Sequence, residues 1–208
     1  MEDAAQQIAN AWAQMSGWEI VAVILAIAYL VLAVRQNPLC WYAGFASTAI
    51  YTVLFWNVQL LMESGLNIYY MAMAVYGWWQ WRHGGQNDTP LPVHTWRWRQ
   101  HALVLSGIVL ISAASGSLLT QFTHAAWPYL DSFTTWAAVV TTFMVARKVL
   151  ENWAYWMVIN STSIFIFIDR GMYLTALLLL SYLIISIFGW ISWYRDYQNH
   201  QQEQASAR

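Results

Sequence analysis

The stretch "AVYGWWQW" at residues 74–81 returns as "SIFGWISW" at residues 186–193, 112 positions further along the chain. The same offset, held without gaps, also aligns residues outside these stretches: Ala26 with Ala138, Arg35 with Arg147, Trp41 with Trp153, Phe55 with Phe167, Leu66 with Leu178, Tyr70 with Tyr182, and Glu19 with Asp131. One register that aligns arginines, tryptophans and a glycine indicates an internal repeat. We therefore expect two copies of one structural unit.

The composition is typical of a membrane protein. Of the 208 residues, 59% are hydrophobic and only 9% are charged, whereas about a quarter of a soluble domain is charged. The net charge of −1 supplies no basic surface for nucleic acid, so we expect no nucleic-acid partner. Cys40 is the only cysteine, which excludes a disulfide framework and a cysteine metal site.

Seven segments are apolar enough to be interpreted as membrane-spanning helices, which need about 20 such residues. They are Trp18–Val34, Pro38–Trp56, Leu60–Trp81, His101–Phe122, Asp131–Val145, Leu150–Ile168 and Met172–Tyr194. The predicted fold class is an all-α integral membrane protein with seven transmembrane helices in contact with the lipid bilayer. The end of the chain, "YRDYQNHQQEQASAR", is polar and is predicted to be solvated or helical only at its start.

The repeat and the helix count define the domain organisation. The predicted parts are a first three-helix repeat at residues 18–81, a cytoplasmic loop and linker helix at 82–130, a second three-helix repeat at 131–194 and a cytoplasmic tail at 195–208. Because three is odd, adjacent copies would be inverted, and the linker helix restores the common direction. The arrangement is 3+1+3 with parallel repeats, and substrate sites in such proteins lie between the repeats.

Basic residues collect on one predicted face of the membrane. That face carries Arg35, Arg82, Arg97, Arg99, Arg147, Lys148, Arg195 and Arg208, and the other carries Arg170. Cytoplasmic loops are enriched in Lys and Arg, so we expect an external N-terminus and a cytoplasmic C-terminus. Tryptophans near the span ends are predicted to be interfacial anchors: Trp18, Trp41, Trp56, Trp78, Trp81, Trp127, Trp153, Trp190 and Trp193.

Polar side chains share one face of the sixth predicted helix. Asn152, Trp156, Asn160 and Ser163 follow a helical spacing, and Asn160 lies about 15 Å from the start of that helix. A ring face beside an amide suits a flat, hydrogen-bonding solute. The alternative is that these groups form hydrogen bonds between membrane helices.

The two halves have the same predicted arrangement of helices but differ at these polar positions. The residues 112 positions before Trp156 and Asn160, called here their repeat mates, are Gly44 and Thr48. An asymmetric ligand would require such a difference. Polar residues on the third and seventh helices complete the site. The predicted substrate-binding residues are Trp156, Asn160, Asn67, Tyr70, Thr48, Tyr182 and Asn152.

Catalytic motifs are missing from the sequence: there is no HExxH, nucleophile elbow, P-loop or dinucleotide fingerprint. We therefore expect no enzyme activity, no metal and no cofactor. The acidic residues fall near the predicted span ends, and none is placed in mid-membrane. Their position favours passive facilitation over proton-coupled transport.

Three stretches resemble the PnuC family of bacterial vitamin transporters: "VARKVLENWAYWMVIN" (145–160), "NIYYMAMAVYGWWQW" (67–81), and "YLTALLLL" with its "FGW" continuation. The resemblance covers roughly residues 19–194. It implies a seven-helix homotrimer of the bacterial inner membrane, similar in fold to the SWEET sugar transporters. Such proteins take up unphosphorylated vitamins by facilitated diffusion, and a cytoplasmic kinase then traps the solute. The resemblance assigns substrate binding to Trp156 and Asn160.

The resemblance leaves the vitamin open between nicotinamide riboside, thiamine and riboflavin. Nicotinamide riboside is the commonest substrate of the family, but its transporters have a glutamine where this chain has Asn67, ten residues before the glycine of "YGW". Thiamine is therefore a close second. Both are flat cationic heterocycles, which an aromatic cage attracts. The alternative function is a membrane scaffold or small-molecule sensor without transport.

The orientation can be tested by cysteine accessibility in intact cells. In a chain whose Cys40 is replaced by alanine, a cysteine at Ala5 should react with a membrane-impermeant reagent, whereas a cysteine at Ser206 should react only after lysis. Labelling of position 206 from outside would contradict both the orientation and the odd number of spans.

Overall fold

The fold is all-α. The computed structural model describes residues 4–85, 89–122 and 127–206, so that Arg208 lies outside the described residues. Within them it contains eight helices and no strand. The helices are α1 Ala4–Gln14, α2 Gly17–Val34, α3 Cys40–Asn57, α4 Leu61–His83, α5 Trp98–Phe122, α6 Pro128–Ala146, α7 Asn152–Asp169 and α8 Tyr173–Ser206.

Helices α2 to α8 correspond in order to the seven predicted segments. Helix α2 begins after Ser16, whose side chain accepts a hydrogen bond from the backbone N–H of Glu19 at 3.2 Å, as the first residue of a capping box does. Two features differ from the sequence prediction. The N-terminal helix α1 was not expected, and α8 continues to Ser206, so the prediction of a tail that is helical only at its start is wrong.

Three helical segments among the described residues are long and apolar enough to cross a membrane by composition alone: Gly17–Val34, Trp98–Phe122 and Tyr173–Glu203. Composition alone does not single out the other long described helices, α3, α4, α6 and α7.

The turns after the first and second helices of each half have the same geometry. Gln36 and Lys148, 112 positions apart, have φ of 53° and 52°, and Gln59 and Gly171, also 112 positions apart, have φ of 62° and 72°. In all four turns the next residue donates its backbone N–H to the carbonyl five residues earlier, at 2.8–3.0 Å. This is the Schellman pattern of a helix end, repeated at equivalent positions.

Tryptophans join the two halves through equivalent contacts. Trp81 donates its indole N–H to the carbonyl of Val145 at 3.0 Å, and Trp193 donates to the carbonyl of Ala33 at 3.0 Å. Both donors and both acceptors are separated by 112 positions. Through these bonds α4 packs on α6, and α8 packs on α2.

Four tryptophans predicted as interfacial anchors are instead buried in the protein core. Trp41, Trp81, Trp153 and Trp193 are at most 3% exposed, so the anchor prediction is wrong for them. Their rings pack edge to face, with centroids 5.3 Å apart in the first half and 5.4 Å in the second. Sequence position near a span end could not reveal that these rings face another helix instead of lipid.

Glycine makes room for two of these rings. A Cβ atom on Gly77 would lie 2.3 Å from the ring of Trp41, and one on Gly189 would lie 2.5 Å from the ring of Trp153. Real Cβ contacts are never this close, so the shared glycine of "YGW" and "FGW" is required by helix packing.

Lys148 lies between the two halves, at the end of the bundle where the buried tryptophans pack. Its ammonium group donates to the side chain of Gln36 at 3.0 Å and lies 4.8 Å from the centre of the Trp81 ring. The Gln36 amide in turn donates to Asp196 on α8. Burial lowers the pKa of Lys148 to about 8, although the charge of Asp196 acts in the opposite direction.

The loop before α5 is tied to this end of the bundle. His94 donates its backbone N–H to Lys148 at 3.2 Å and accepts one from Leu150 at 2.8 Å. Helix α5 then packs against α6, on the outside of the two halves, with Trp136 donating to Ser115 at 3.1 Å.

The glycine contacts predict a stability difference between matched variants. Gly77→Ala and Gly189→Ala should each destabilise the protein by about 1–3 kcal/mol, because the added methyl group overpacks a buried ring. Gly65→Ala, on the same helix as Gly77 but with nothing within 4 Å of its Cβ position, should not destabilise it. Thermal unfolding in detergent, followed by tryptophan fluorescence, measures the difference. Equal melting temperatures for Gly77→Ala and Gly65→Ala would contradict the close contact.

Candidate functional site

A central cavity of about 410 Å³ lies between the two halves. Its lining comes from α2, α3 and α4 of the first half and from α6, α7 and α8 of the second. Cavities of this size hold small organic molecules. The repeat therefore positions the cavity, since each half contributes its three helices to one wall.

Five of the seven predicted binding residues line the central cavity. They are Trp156, Asn160, Thr48, Tyr70 and Tyr182. Trp156 and Asn160 lie one turn apart on α7, and their repeat mates Gly44 and Thr48 lie in the first half. The ring of Tyr29, which also lines the cavity, packs against Gly44, where a Cβ atom would lie 3.0 Å from it.

The amide of Asn160 differs from the other two predicted amides. Asn160 is 3% exposed, yet its side chain forms no hydrogen bond with any residue that the structure describes. The Asn67 amide donates to the carbonyl of Glu63 at 2.8 Å, and the Asn152 amide donates to that of Val149 at 2.7 Å. A buried amide normally has partners. The Asn152 Oδ1 also has none, but of the three predicted amides only that of Asn160 lines the cavity, so it is the one available to a bound solute.

Asn67 and Asn152 do not belong to the lining. Both are buried, but their amides bond to the backbone of the preceding turn. The hydroxyl of Thr48, although it lines the cavity, likewise donates to its own helix, at the carbonyl of Gly44 and 2.8 Å. Of the four α7 residues predicted to share a face, Trp156, Asn160 and Ser163 line the cavity and Asn152 does not. Sequence spacing could not show which polar groups are already bonded to backbone.

Several lining residues were not expected from the sequence. Tyr29, Trp41, Asp131, Thr134 and Thr142 all contact the cavity. The repeat offered a signal for one of them, because Asp131 is the mate of Glu19 and both are acidic. The sequence placed Asp131 near the end of a predicted span and did not assign it to the substrate site.

An apolar groove of about 340 Å³ lies on the outside of α3 and α4. It is bordered by Tyr42, Phe45 and Val75, which are exposed hydrophobic side chains. The groove lacks convergent polar groups among the described residues that line it, so the central cavity is the better candidate for a specific solute.

Comparison with known proteins identifies the family. The profile of the nicotinamide mononucleotide transporter family matches residues 16–195. The nicotinamide riboside transporter PnuC of Escherichia coli (strain K12) is 24% identical over 208 residues, which cover 86% of this chain and 85% of that protein. PnuC of Neisseria mucosa is 26% identical, covering 86% and 73% of the two chains.

Two further relatives extend the comparison. The riboflavin/roseoflavin transporter RibM of Streptomyces davaonensis is 22% identical, covering 85% of this chain and 84% of its own. A crystal structure of the vitamin B3 transporter PnuC matches with a TM-score of 0.70 and 23% identity, over 95% of this chain and 89% of that chain. The structural match shows a common fold. Because the family profile spans most of its length, the chain belongs to the nicotinamide mononucleotide transporter family, that is, to the PnuC transporters, and is not an enzyme.

Proposed function

We propose that this chain is a facilitator of the bacterial inner membrane for an unphosphorylated vitamin, with nicotinamide riboside as the first candidate and thiamine as the second. The observation that carries the proposal is the unpaired Asn160 amide one turn from the Trp156 ring in the central cavity. A ring face can stack on a flat heterocycle, while the amide offers two donors and an acceptor to its substituents.

The charge of the cavity supports an unphosphorylated solute. No Lys, Arg or His is among the described residues of the lining. A phosphate group would enter without a cation to pair with, and burial of an unpaired charge is costly. The family takes its name from a mononucleotide, but this cavity suits a nucleoside or another phosphate-free vitamin better.

The names of the relatives support a vitamin and differ in which one. PnuC of E. coli is a nicotinamide riboside transporter and RibM is a riboflavin/roseoflavin transporter. This chain has Asn67 where nicotinamide riboside transporters have a glutamine, and that difference favoured thiamine as an alternative. Because the Asn67 side chain bonds to its own helix outside the lining, that exchange would influence the solute only indirectly, and nicotinamide riboside remains first.

The membrane arrangement is proposed as seven spans, α2 to α8, in a 3+1+3 order with an external N-terminus. The reciprocal tryptophan bonds and the paired left-handed turns support parallel repeats. The distribution of basic residues supports the orientation. We further propose a homotrimer whose transport is passive and whose solute is trapped by a cytoplasmic kinase.

Substitutions on α7 test the site. Trp156→Ala should weaken vitamin binding by about 1–2 kcal/mol, or roughly 5- to 30-fold, because stacking is lost. Asn160→Leu should weaken it comparably, because a solute group loses its hydrogen-bond partner. Calorimetric titration of nicotinamide riboside, thiamine and riboflavin measures both effects and ranks the vitamins.

Trp153→Ala provides the matched control for these variants. Trp153 lies on the same helix but is fully buried against Gly189 and Trp193. Loss of the Trp153 ring should act mainly on stability, seen as a lower melting temperature, and less on the affinity for the vitamin. Parental affinity in folded Trp156→Ala and Asn160→Leu would show that these residues only hold helices together.

Passive transport can be tested in vesicles that contain this protein alone. Labelled vitamin should equilibrate without accumulating above the external concentration, with or without a proton or sodium gradient. Accumulation that disappears when such a gradient is collapsed would contradict passive transport. Binding without any uptake would favour the sensor alternative.

A further inference from the structure

One charged side chain lies in the central cavity. Among the lining residues that the structure describes, Asp131 carries the single charge, and the others are apolar, hydroxyl-bearing or amide side chains. The side chain is 43% exposed, so the carboxylate stands at the opening of the cavity. A solute that enters from this end meets Asp131 first.

The repeat places Asp131 close to the level of Asn160. In the first half Ser47 donates to the carbonyl of Ala22 at 2.8 Å, and the mates of these residues are Ile159 and Thr134. Thr134 and Ile159 both line the cavity, and Asp131 lies one turn before Thr134, about 5 Å along the helix. A solute bound to the Asn160 amide would extend toward the carboxylate.

Asp131 has a loosely held counter-ion. The guanidinium of Arg170 lies 3.9 Å from its carboxylate, and the Arg170 side chain is 31% exposed. A direct charge-assisted hydrogen bond would measure about 2.7–2.9 Å, so this pair is weak and open to solvent. A cation on a solute can compete with Arg170 for the same carboxylate.

We propose that Asp131 is the residue that selects positively charged solutes, which replace Arg170 as its counter-ion. This inference rests on the proposed function and narrows its substrate class to cationic heterocycles with an uncharged arm. The aromatic rings of Trp156, Tyr70 and Tyr182 line the same cavity and also attract cations. The second half alone supplies the charge, since Glu19, the mate of Asp131, does not line the cavity.

Pairs of probes that differ in charge but little in shape test this assignment. Nicotinamide riboside is a cation, and its reduced dihydro form is uncharged. Thiamine is a cation, and 3-deazathiamine is its uncharged counterpart. Titration of each pair against the purified parent and its variants separates the effect of charge from the effect of shape.

Asp131→Asn should weaken binding of the cation about 3- to 10-fold, more than an exposed ion pair would give, because the charge is partly desolvated. Binding of the uncharged partner should change by less than about twofold. The loss for the cation should shrink at high salt.

Arg170→Gln should strengthen binding of the cation, because it removes the competing counter-ion. This variant also tests the assignment if Asp131→Asn does not fold.

Asp169→Asn is the matched control. Asp169 lies next to Arg170, accepts a hydrogen bond from the Trp127 indole at 2.7 Å and does not line the cavity. It should leave the affinities of both probes unchanged. Equal losses in Asp131→Asn and Asp169→Asn, equal losses for charged and uncharged probes, or no loss in Asp131→Asn would overturn the assignment, as would weaker cation binding in Arg170→Gln.

Failure of this inference can be distinguished from failure of the proposed function. Asn160→Leu should weaken binding of the charged and uncharged probes alike, because it removes a hydrogen bond that does not depend on solute charge. If that result holds while Asp131→Asn shows no charge preference, the vitamin site stands and the role of Asp131 is wrong. If the parent binds none of the four probes, the proposed function itself fails.

Discussion

Two indole hydrogen bonds between the two halves determine how the rest of the structure is arranged. Trp81 bonds to the backbone of α6 and Trp193 bonds to that of α2, both at 3.0 Å. A buried indole N–H needs an acceptor, and the buried carbonyls of Val145 and Ala33 lie where α6 and α2 end. The same contact made twice sets the distance between the two halves at this end. The central cavity opens further along the helices, where the tryptophans no longer fill the space.

Different chemical groups lie at the two ends of the cavity. At the tryptophan end, Lys148 bridges to Gln36 over the Trp81 ring, and its lowered pKa reflects how little water reaches it. At the other end the ion pair between Asp131 and Arg170 is longer and partly solvated. The two ends of the cavity therefore differ in how tightly they are packed and in how closely their charged groups are paired.

The two halves have equivalent packing contacts but different cavity linings. The turns, the glycine contacts and the tryptophan bonds are equivalent in both halves. The cavity lining differs between the halves. The first half contributes Gly44 and Thr48 at the positions where the second half contributes Trp156 and Asn160. Packing constrains the frame, because a Cβ on either glycine would overlap a ring. Lining residues are free of that constraint and can differ to suit one asymmetric solute.

The amino-acid sequence by itself predicted helices α2 to α8 in order, the repeat offset and the family. These depend on local composition and on spacing along one chain, which a sequence displays directly. It also named five residues that line the cavity, since residues one turn apart share a face wherever the helix packs. Tertiary structure alone decided the rest. It placed Trp41, Trp81, Trp153 and Trp193 in the core, bonded the amides of Asn67 and Asn152 to backbone, and turned Asp131 into the cavity. The physical reason is that burial and hydrogen bonding depend on which neighbouring helix a side chain meets, and residues far apart in the chain supply that neighbour.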